Sequence, residues 1–212
     1  MQFPREVHEP IACNASRSVI ENMAETLARK LDFRQSRFAM SINAEREMVD
    51  LIKRLDGRVM DPPIINAGEC PDADDSLVVF DDKHFTVFHF RNPLMSQKLE
   101  DSHAMFLGHE IGHPFLHYPV VHMARGVQVG KPLVMVAQRH PNERNEAQRR
   151  CDIEAYWFAH VLVFPEALLR DLWDRYRGNV REIASITKVL PTTIENRARR
   201  LGLLDAPLAL AA

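Results

Sequence analysis

The residues with the clearest chemical potential are two histidines four positions apart, in the segment His109-Glu-Ile-Gly-His113. Positions i and i+4 lie on one face of a helix, so both imidazoles can bind one Zn²⁺. Glu110 is placed beside that pair, where a carboxylate can take a proton from a metal-activated water without being a ligand itself. The HExxH spacing therefore predicts a zinc site in which Glu110 is the general base.

A catalytic zinc usually has three protein ligands and one water, so a third ligand must come from elsewhere. His117 lies about 12 Å from His109 along a straight helix, and it would bind the same ion only if the chain turned sharply at Pro114. We expect His117 and Tyr118 to lie instead at the rim of the site, where they contact the substrate or stabilise the oxyanion.

The next long predicted helix, 143–163, carries two carboxylates, Asp152 and Glu154. Two positions two residues apart are roughly 200° apart around a helix, so only one of these side chains can face the zinc. Asp152 is in line with the small Ala159, which lets a second helix approach as closely as a short ligand requires. Glu154 is in line with the bulky Phe158, but it has the longer reach. We expect Asp152 to be the third ligand, with Glu154 as the second choice.

Apolar periodicity predicts the elements that must position these residues. Helical spacing is found at 19–31, 44–55, 102–113, 143–163, 166–176, 180–188 and 192–201, and short apolar runs predict strands at 64–65, 77–80 and 85–90. These patterns predict an α+β fold, in which the HExxH helix packs against a small antiparallel sheet and further helices lie at both ends. We expect residues 1–57 to form a helical segment that packs on a core formed by 58–212.

A long connection, roughly 119–142, separates the two helices that carry the chemistry. It contains Gly126, Gly130 and a possible strand at 133–136. Connections of this length are usually functional or mobile, so we expect this one to border the active-site cleft.

Taken together, these segments resemble the ImmA/IrrE family of metallo-endopeptidases. In that family an HExxH helix is followed by an acidic helix of the form E-x-x-A-x-x-F-A-x-x-L-L-M-P. The matching stretches here are Phe106-Leu-Gly-His-Glu-Ile-Gly-His-Pro-Phe-Leu-His117, Asp152-Ile-Glu-Ala-Tyr-Trp-Phe-Ala-His-Val-Leu-Val-Phe-Pro165 and the tail Arg197-Ala-Arg-Arg-Leu-Gly-Leu-Leu204. The resemblance covers roughly residues 60 to 204. One departure concerns the chemistry, because Asp152 stands where the family usually has Glu.

The resemblance implies a zincin-like fold and a zinc-dependent endopeptidase that cuts a regulatory protein, such as a helix-turn-helix transcriptional repressor of a mobile element or stress response. It also implies that the first acidic position of the second motif, here Asp152, binds the metal. A shorter carboxylate can still bind zinc, but the two helices must then approach more closely, by about one methylene.

Composition limits the remaining classes of protein. The 212 residues carry a net charge of −2, which gives no overall attraction to nucleic acid or to an anionic membrane. The three cysteines are odd in number and lack CxxC spacing, which favours reduced thiols. The sequence shows neither a signal region nor a membrane-length apolar run. We therefore expect a cytoplasmic protein that binds a protein substrate and no membrane.

One alternative function comes from the basic C-terminal segment. The predicted helices 180–188 and 192–201 are also compatible with a helix-turn-helix, in which Arg197, Arg199 and Arg200 would face phosphates. The protein would then be a DNA- or protein-binding regulator with a structural metal site. We do not expect nucleic-acid binding, because a local basic surplus is more often a solvated face. The sequence fixes neither the oligomeric state nor the substrate.

Overall fold

The structure is a computed structural model that describes residues 7–32, 44–60, 76–81, 84–89, 103–126, 134–138 and 145–204. Its fold is α+β, as the sequence predicts. The helices are α1 (Arg17–Lys30), α2 (Ala44–Arg54), α3 (His103–Leu116), α4 (Tyr118–Ala124), α5 (Glu146–Val163), α6 (Glu166–Arg175), α7 (Val180–Thr187) and α8 (Pro191–Arg200); the strands are β1 (Val7–His8), β2 (Arg58–Met60), β3 (Ser76–Asp81), β4 (His84–His89) and β5 (Val134–Gln138).

The strands form one mixed sheet in the order β1-β5-β3-β4-β2. The central strand β3 runs antiparallel to both β4 and β5, with Asp81 opposite His84 in its pairing with β4, and the predicted strands 77–80 and 85–90 correspond to β3 and β4. The prediction of a purely antiparallel sheet is wrong at the edges, because β1 pairs parallel with β5 and β2 pairs parallel with β4. Each edge strand is separated from its partner by a long stretch of chain, which permits a parallel arrangement. The strand predicted at 64–65 lies outside the described residues.

Helix α3 lies at the centre of the core. Of its residues, Phe115 alone is not buried, as expected for a helix that is apolar on nearly every face. It packs against α5, α2 and the strands β3 and β4. The helix continues through Pro114 to Leu116, and the amide of His117 then donates to the carbonyl of His113 at 2.9 Å. The chain therefore makes no sharp turn at Pro114.

Helices α3 and α5 approach each other closely through small residues. A Cβ atom placed on Gly112 would lie 3.1 Å from the Cα of Ala155, and one on Gly108 would lie 3.3 Å from the Cβ of Ala159. The two glycines and the two alanines are each four residues apart, so each pair forms a stripe on one helix face. The backbones can therefore meet with almost no side chain between them.

The N-terminal helices belong to the same hydrophobic cluster, since α1 packs on α5 and α2 on α3. The N-cap of helix α1 is Ser16, whose hydroxyl accepts a hydrogen bond from the amide of Val19 at 3.4 Å. In the described part of the long connection, α4 and β5 provide regular structure, while 127–133 and 139–144 lie outside the described residues. None of the helices in the described ranges has the length and apolar character to cross a membrane.

The glycine stripe leads to the first testable prediction. Replacing Gly112 by Leu inserts a side chain where even a Cβ is tight against backbone, so the helices must separate. Overpacking of this kind costs about 1–3 kcal/mol. In a domain of this size, we expect the midpoint of thermal unfolding to fall by roughly 2–10 °C.

The matched control is Ala147→Leu, which adds the same side chain at an exposed position of α5. Thermal unfolding followed by circular dichroism measures both variants. Equal midpoints for the two would show that the close helix contact does not limit stability.

Candidate metal centre

Three potential metal ligands converge where α3 meets α5. The Nε2 atoms of His109 and His113 are 3.1 Å apart, and the Oδ1 atom of Asp152 lies 3.5 Å from the first and 4.0 Å from the second. Both histidines are buried, whereas the Asp152 side chain is 21% exposed. The group of three ligand atoms therefore opens toward solvent on the Asp152 side.

These distances fit a zinc ion. Four ligand atoms at about 2.0–2.2 Å from a tetrahedral zinc lie roughly 3.3–3.6 Å from one another, and the three observed separations fall around that range. Two imidazoles and one carboxylate also form a donor set that is typical of catalytic zinc, which leaves one position for water or substrate. The residues present can therefore hold this metal.

The structure separates the roles of the two carboxylates on α5. Asp152 lies with the two histidines, as helix geometry predicts. Glu154 is fully buried on another face of α5, where its carboxylate accepts hydrogen bonds from the backbone amides of Cys13 (2.9 Å) and Asn14 (3.0 Å) and from Nε of Arg150 (3.0 Å). Glu154 thus holds the backbone segment that leads into α1.

A buried hydrogen-bonded chain connects Glu154 to the metal centre. The Nδ1 atoms of His113 and His117 are 2.9 Å apart, and Nε2 of His117 is 3.3 Å from Oε2 of Glu154. If His113 binds a metal through Nε2, its Nδ1–H donates to His117, whose Nε2–H then donates to Glu154. This chain fixes one tautomer for each ring, which is the usual function of groups behind a metal ligand.

The electrostatics agree with these roles. Burial lowers the pKa of His117, so the ring is neutral and its Nδ1 can accept a hydrogen bond from Nδ1–H of His113. Burial alone would raise the pKa of Glu154, but hydrogen bonds from His117, Cys13 and Arg150 outweigh it and lower that pKa to about 2. The chain therefore ends on a stable carboxylate.

The expected substrate or oxyanion contact of His117 needs correction. The side chain has 0% exposure, and each ring nitrogen faces another buried residue, so His117 lies behind the metal centre and not at its rim. The straight course of α3 through Pro114 is the reason. Tyr118, which is partly exposed at the start of α4 with its ring 6.0 Å from that of His122, keeps its role only as a prediction.

Glu110 follows the first histidine on α3 and is 2% exposed. It does not belong to the group of converging ligand atoms, and its role as general base stays a prediction. Behind the ligands, Nδ1 of His109 is buried and has no hydrogen-bond partner among the residues the structure describes. Of the two histidines, His113 is thus the one with a described partner for its second ring nitrogen.

One of the three C-terminal arginines that the alternative function would use is buried in the core. Arg197 is 4% exposed and donates to the backbone carbonyl of Phe164 at 3.0 Å and to Glu25 at 2.6 Å. Helices α7 and α8 are present as predicted, but this arginine holds α8 against the core. The geometry therefore argues against DNA recognition by Arg197.

Sequence reasoning missed the role of His117, although the signal was present. His109, His113 and His117 are spaced by four residues each, so a continuous helix places all three on one face. No local signal reveals that Glu154 contacts Cys13 and Asn14, because those contacts join positions about 140 residues apart.

Comparison with known proteins adds nothing to this geometry, because no family model matches the chain and no curated protein matches it significantly.

The hydrogen-bonded chain leads to a second prediction. Replacing His117 by Phe removes both ring nitrogens and leaves Nδ1 of His113 without its partner, so we expect zinc affinity to fall by about 10–100-fold. His117→Asn keeps an acceptor near the Nδ1 position and should lose less. Competition with a zinc chelator measures the affinities.

His122→Phe, on α4, serves as the control because it makes the same exchange outside the hydrogen-bonded chain. If His117→Phe bound zinc as tightly as this control, the chain would have no part in holding the metal.

Proposed function

We propose that the protein is a zinc-dependent endopeptidase. The observation that carries the proposal is the convergence of His109, His113 and Asp152 at the closest approach of α3 and α5, with the buried carboxylate of Glu110 on the same helix. Three protein ligands leave the fourth coordination position of a zinc ion open to water or substrate. This favours a catalytic role over a purely structural one.

His109, His113 and Asp152 would hold the ion, and zinc there supplies a Lewis acid that polarises the scissile carbonyl and acidifies water. Glu110 takes the proton of the attacking water and passes it to the amine that leaves. Its burial keeps bulk water away from this transfer. His117 and Glu154 hold the His113 ring in the required orientation.

The substrate class rests on the resemblance to ImmA/IrrE peptidases, which implies a regulatory protein, such as a helix-turn-helix repressor, cut in the cytoplasm at one or a few sites. The partial exposure of Asp152 supports access by a peptide segment.

The metal assignment makes a third prediction. Asp152→Asn removes a charged ligand, so we expect zinc affinity to fall by at least about 100-fold. This loss should exceed that of His117→Phe, which affects only a group behind the ligands. Glu154→Gln keeps an acceptor for His117 and should retain most of the affinity. Zinc titration of the purified variants measures both, and the reverse order would show that Glu154 is the ligand.

A fourth prediction separates catalysis from metal binding. Glu110→Gln should keep the zinc and the fold but lower the cleavage rate by about 100-fold or more, because the amide cannot act as a base. The assay is the cleavage of fluorescein-labelled casein by the zinc-loaded protein, with metal content measured in parallel. The exposed Glu146→Gln on α5 is the control. Loss of zinc from Glu110→Gln would contradict the role assigned to this residue.

A further inference from the structure

A second polar cavity lies between α1, α5 and α8, outside the metal centre. It has a volume of about 470 Å³ and is lined mainly by Arg17, Trp157, His160, Asn196, Arg199 and Arg200. We call it the arginine pocket. The metal centre and the hydrogen-bonded chain behind it use none of these residues.

His160 is the most deeply buried polar side chain of the arginine pocket, at 4% exposure. Its ring packs edge-on against that of Tyr156, with centroids 4.4 Å apart. Within the described part of the chain, its ring nitrogens make no hydrogen bond. Burial, with added repulsion from Arg17 and Arg197, lowers the pKa of His160 to about 4, so the ring is neutral and keeps one donor nitrogen.

The arginines of the pocket also keep unused donors. Arg17 and Arg200 both bind Glu21 through Nε, at 2.7 and 3.1 Å, and the Arg17 guanidinium also lies over the Trp157 ring. Their side chains are 40% and 43% exposed, and their terminal amino groups make no hydrogen bond within the described residues. Arg199 binds Glu195 through a terminal nitrogen at 3.3 Å, but its buried Nε has no hydrogen-bond partner in the part of the chain that the structure describes. Buried polar groups in native proteins are usually satisfied, so the buried Nε of Arg199 beside two accessible guanidinium groups indicates a ligand.

The charge balance indicates the type of ligand. Three guanidinium groups face two carboxylates, those of Glu21 and Glu195, so the pocket retains about one positive charge. A carboxylate carries one negative charge and accepts paired hydrogen bonds from the planar guanidinium group. A single carboxylate therefore balances the pocket better than a doubly charged phosphate does.

The pocket lies further along the helix that carries the third metal ligand. Asp152, Tyr156 and His160 occupy positions i, i+4 and i+8 of α5, which places His160 about 12 Å from Asp152 along the axis. Tyr156, between them, is 44% exposed. An extended peptide advances about 3.3 Å per residue, so three or four residues span this distance.

We propose that the arginine pocket binds an Asp or Glu side chain of the substrate, three or four residues from the bond that is cut. This assignment rests on the proposed peptidase function. It gives the protein a preference for acidic sequences near the cleavage site and makes Arg199, Arg200 and His160 determinants of that specificity.

The first experiment profiles cleavage in a mixture of peptides of known sequence, by mass spectrometry of the products of zinc-loaded protein. We expect Asp and Glu to be enriched about fivefold at one position three or four residues from the cut, which corresponds to roughly 1 kcal/mol. The double variant Arg199→Gln, Arg200→Gln should lose this enrichment while it still cuts other peptides. Arg175→Gln, which breaks an exposed pair with Asp171 on α6, is the matched control. Cleavage without acidic preference, or a preference that the double variant keeps, would overturn the proposal.

The second experiment does not require catalysis. In the zinc-loaded Glu110→Gln variant, which should not cut the peptide, the ring resonances of His160 are followed by NMR during titration with an alanine-based hexapeptide that contains one Glu, with the Gln peptide and inorganic phosphate as comparisons. We expect the Glu peptide alone to shift the resonances, and the double variant to abolish the shift. A response to phosphate and not to the Glu peptide, or no response at all, would overturn the subsite.

The two experiments separate the two proposals. If the protein binds the Glu peptide in the arginine pocket but cuts no peptide in the mixture, the peptidase function fails and the carboxylate site stands. If it cuts peptides without using the pocket, the subsite fails and the peptidase function stands.

Discussion

The close contact between α3 and α5 is the constraint on which the rest of the site depends. Gly108 and Gly112 allow the backbone of α3 to reach Ala155 and Ala159, and a Cβ on Gly112 would already lie 3.1 Å from the opposing Cα. Asp152 has a short side chain, and at an ordinary helix separation it would not reach two histidines on the other helix. The small residues in the contact therefore determine whether a carboxylate on α5 can complete a metal site on α3.

A second constraint is the polar chain that runs away from the site through buried surroundings. His113, His117 and Glu154 have no access to bulk water, so each must satisfy its polar atoms inside the protein. Backbone amides of Cys13 and Asn14, which precede α1, donate to the Glu154 carboxylate at its end. A fully satisfied network of this kind favours one arrangement of its side chains. Any other arrangement would break some of the hydrogen bonds and leave a buried charge without partners. The N-terminal segment is thus part of the structure that orients a residue of the HExxH motif.

Sequence reasoning succeeded where a single helix carries the information. The histidine spacing requires only helical geometry, and Asp152 separates from Glu154 because two residues rotate the helix by roughly 200°. It failed where the answer depends on what lies far away in the chain. The parallel edge strands β1 and β2 need partners that local patterns do not specify. The position of His117 depends on whether α3 bends at Pro114. The helix continues straight through Pro114 within the surrounding core, which places His117 behind the metal centre.

Helix α5 carries different functional side chains on different faces. One of these faces lies beside the arginines of the C-terminal helix α8. One face carries Glu154 toward the N-terminal segment, while another carries Asp152 toward the histidines and His160 toward the arginines of α1 and α8. Arg197 is used to attach α8 to the core, because its guanidinium group binds a main-chain carbonyl and Glu25. Arg199 and Arg200 of that helix pair with Glu195 and Glu21 and line the arginine pocket. A duplex-binding surface needs cations spaced along phosphates, whereas this cluster is concentrated on one small concave site. This concentration of charge is the reason we propose a single carboxylate as the ligand of these arginines, beside the helix that carries Asp152.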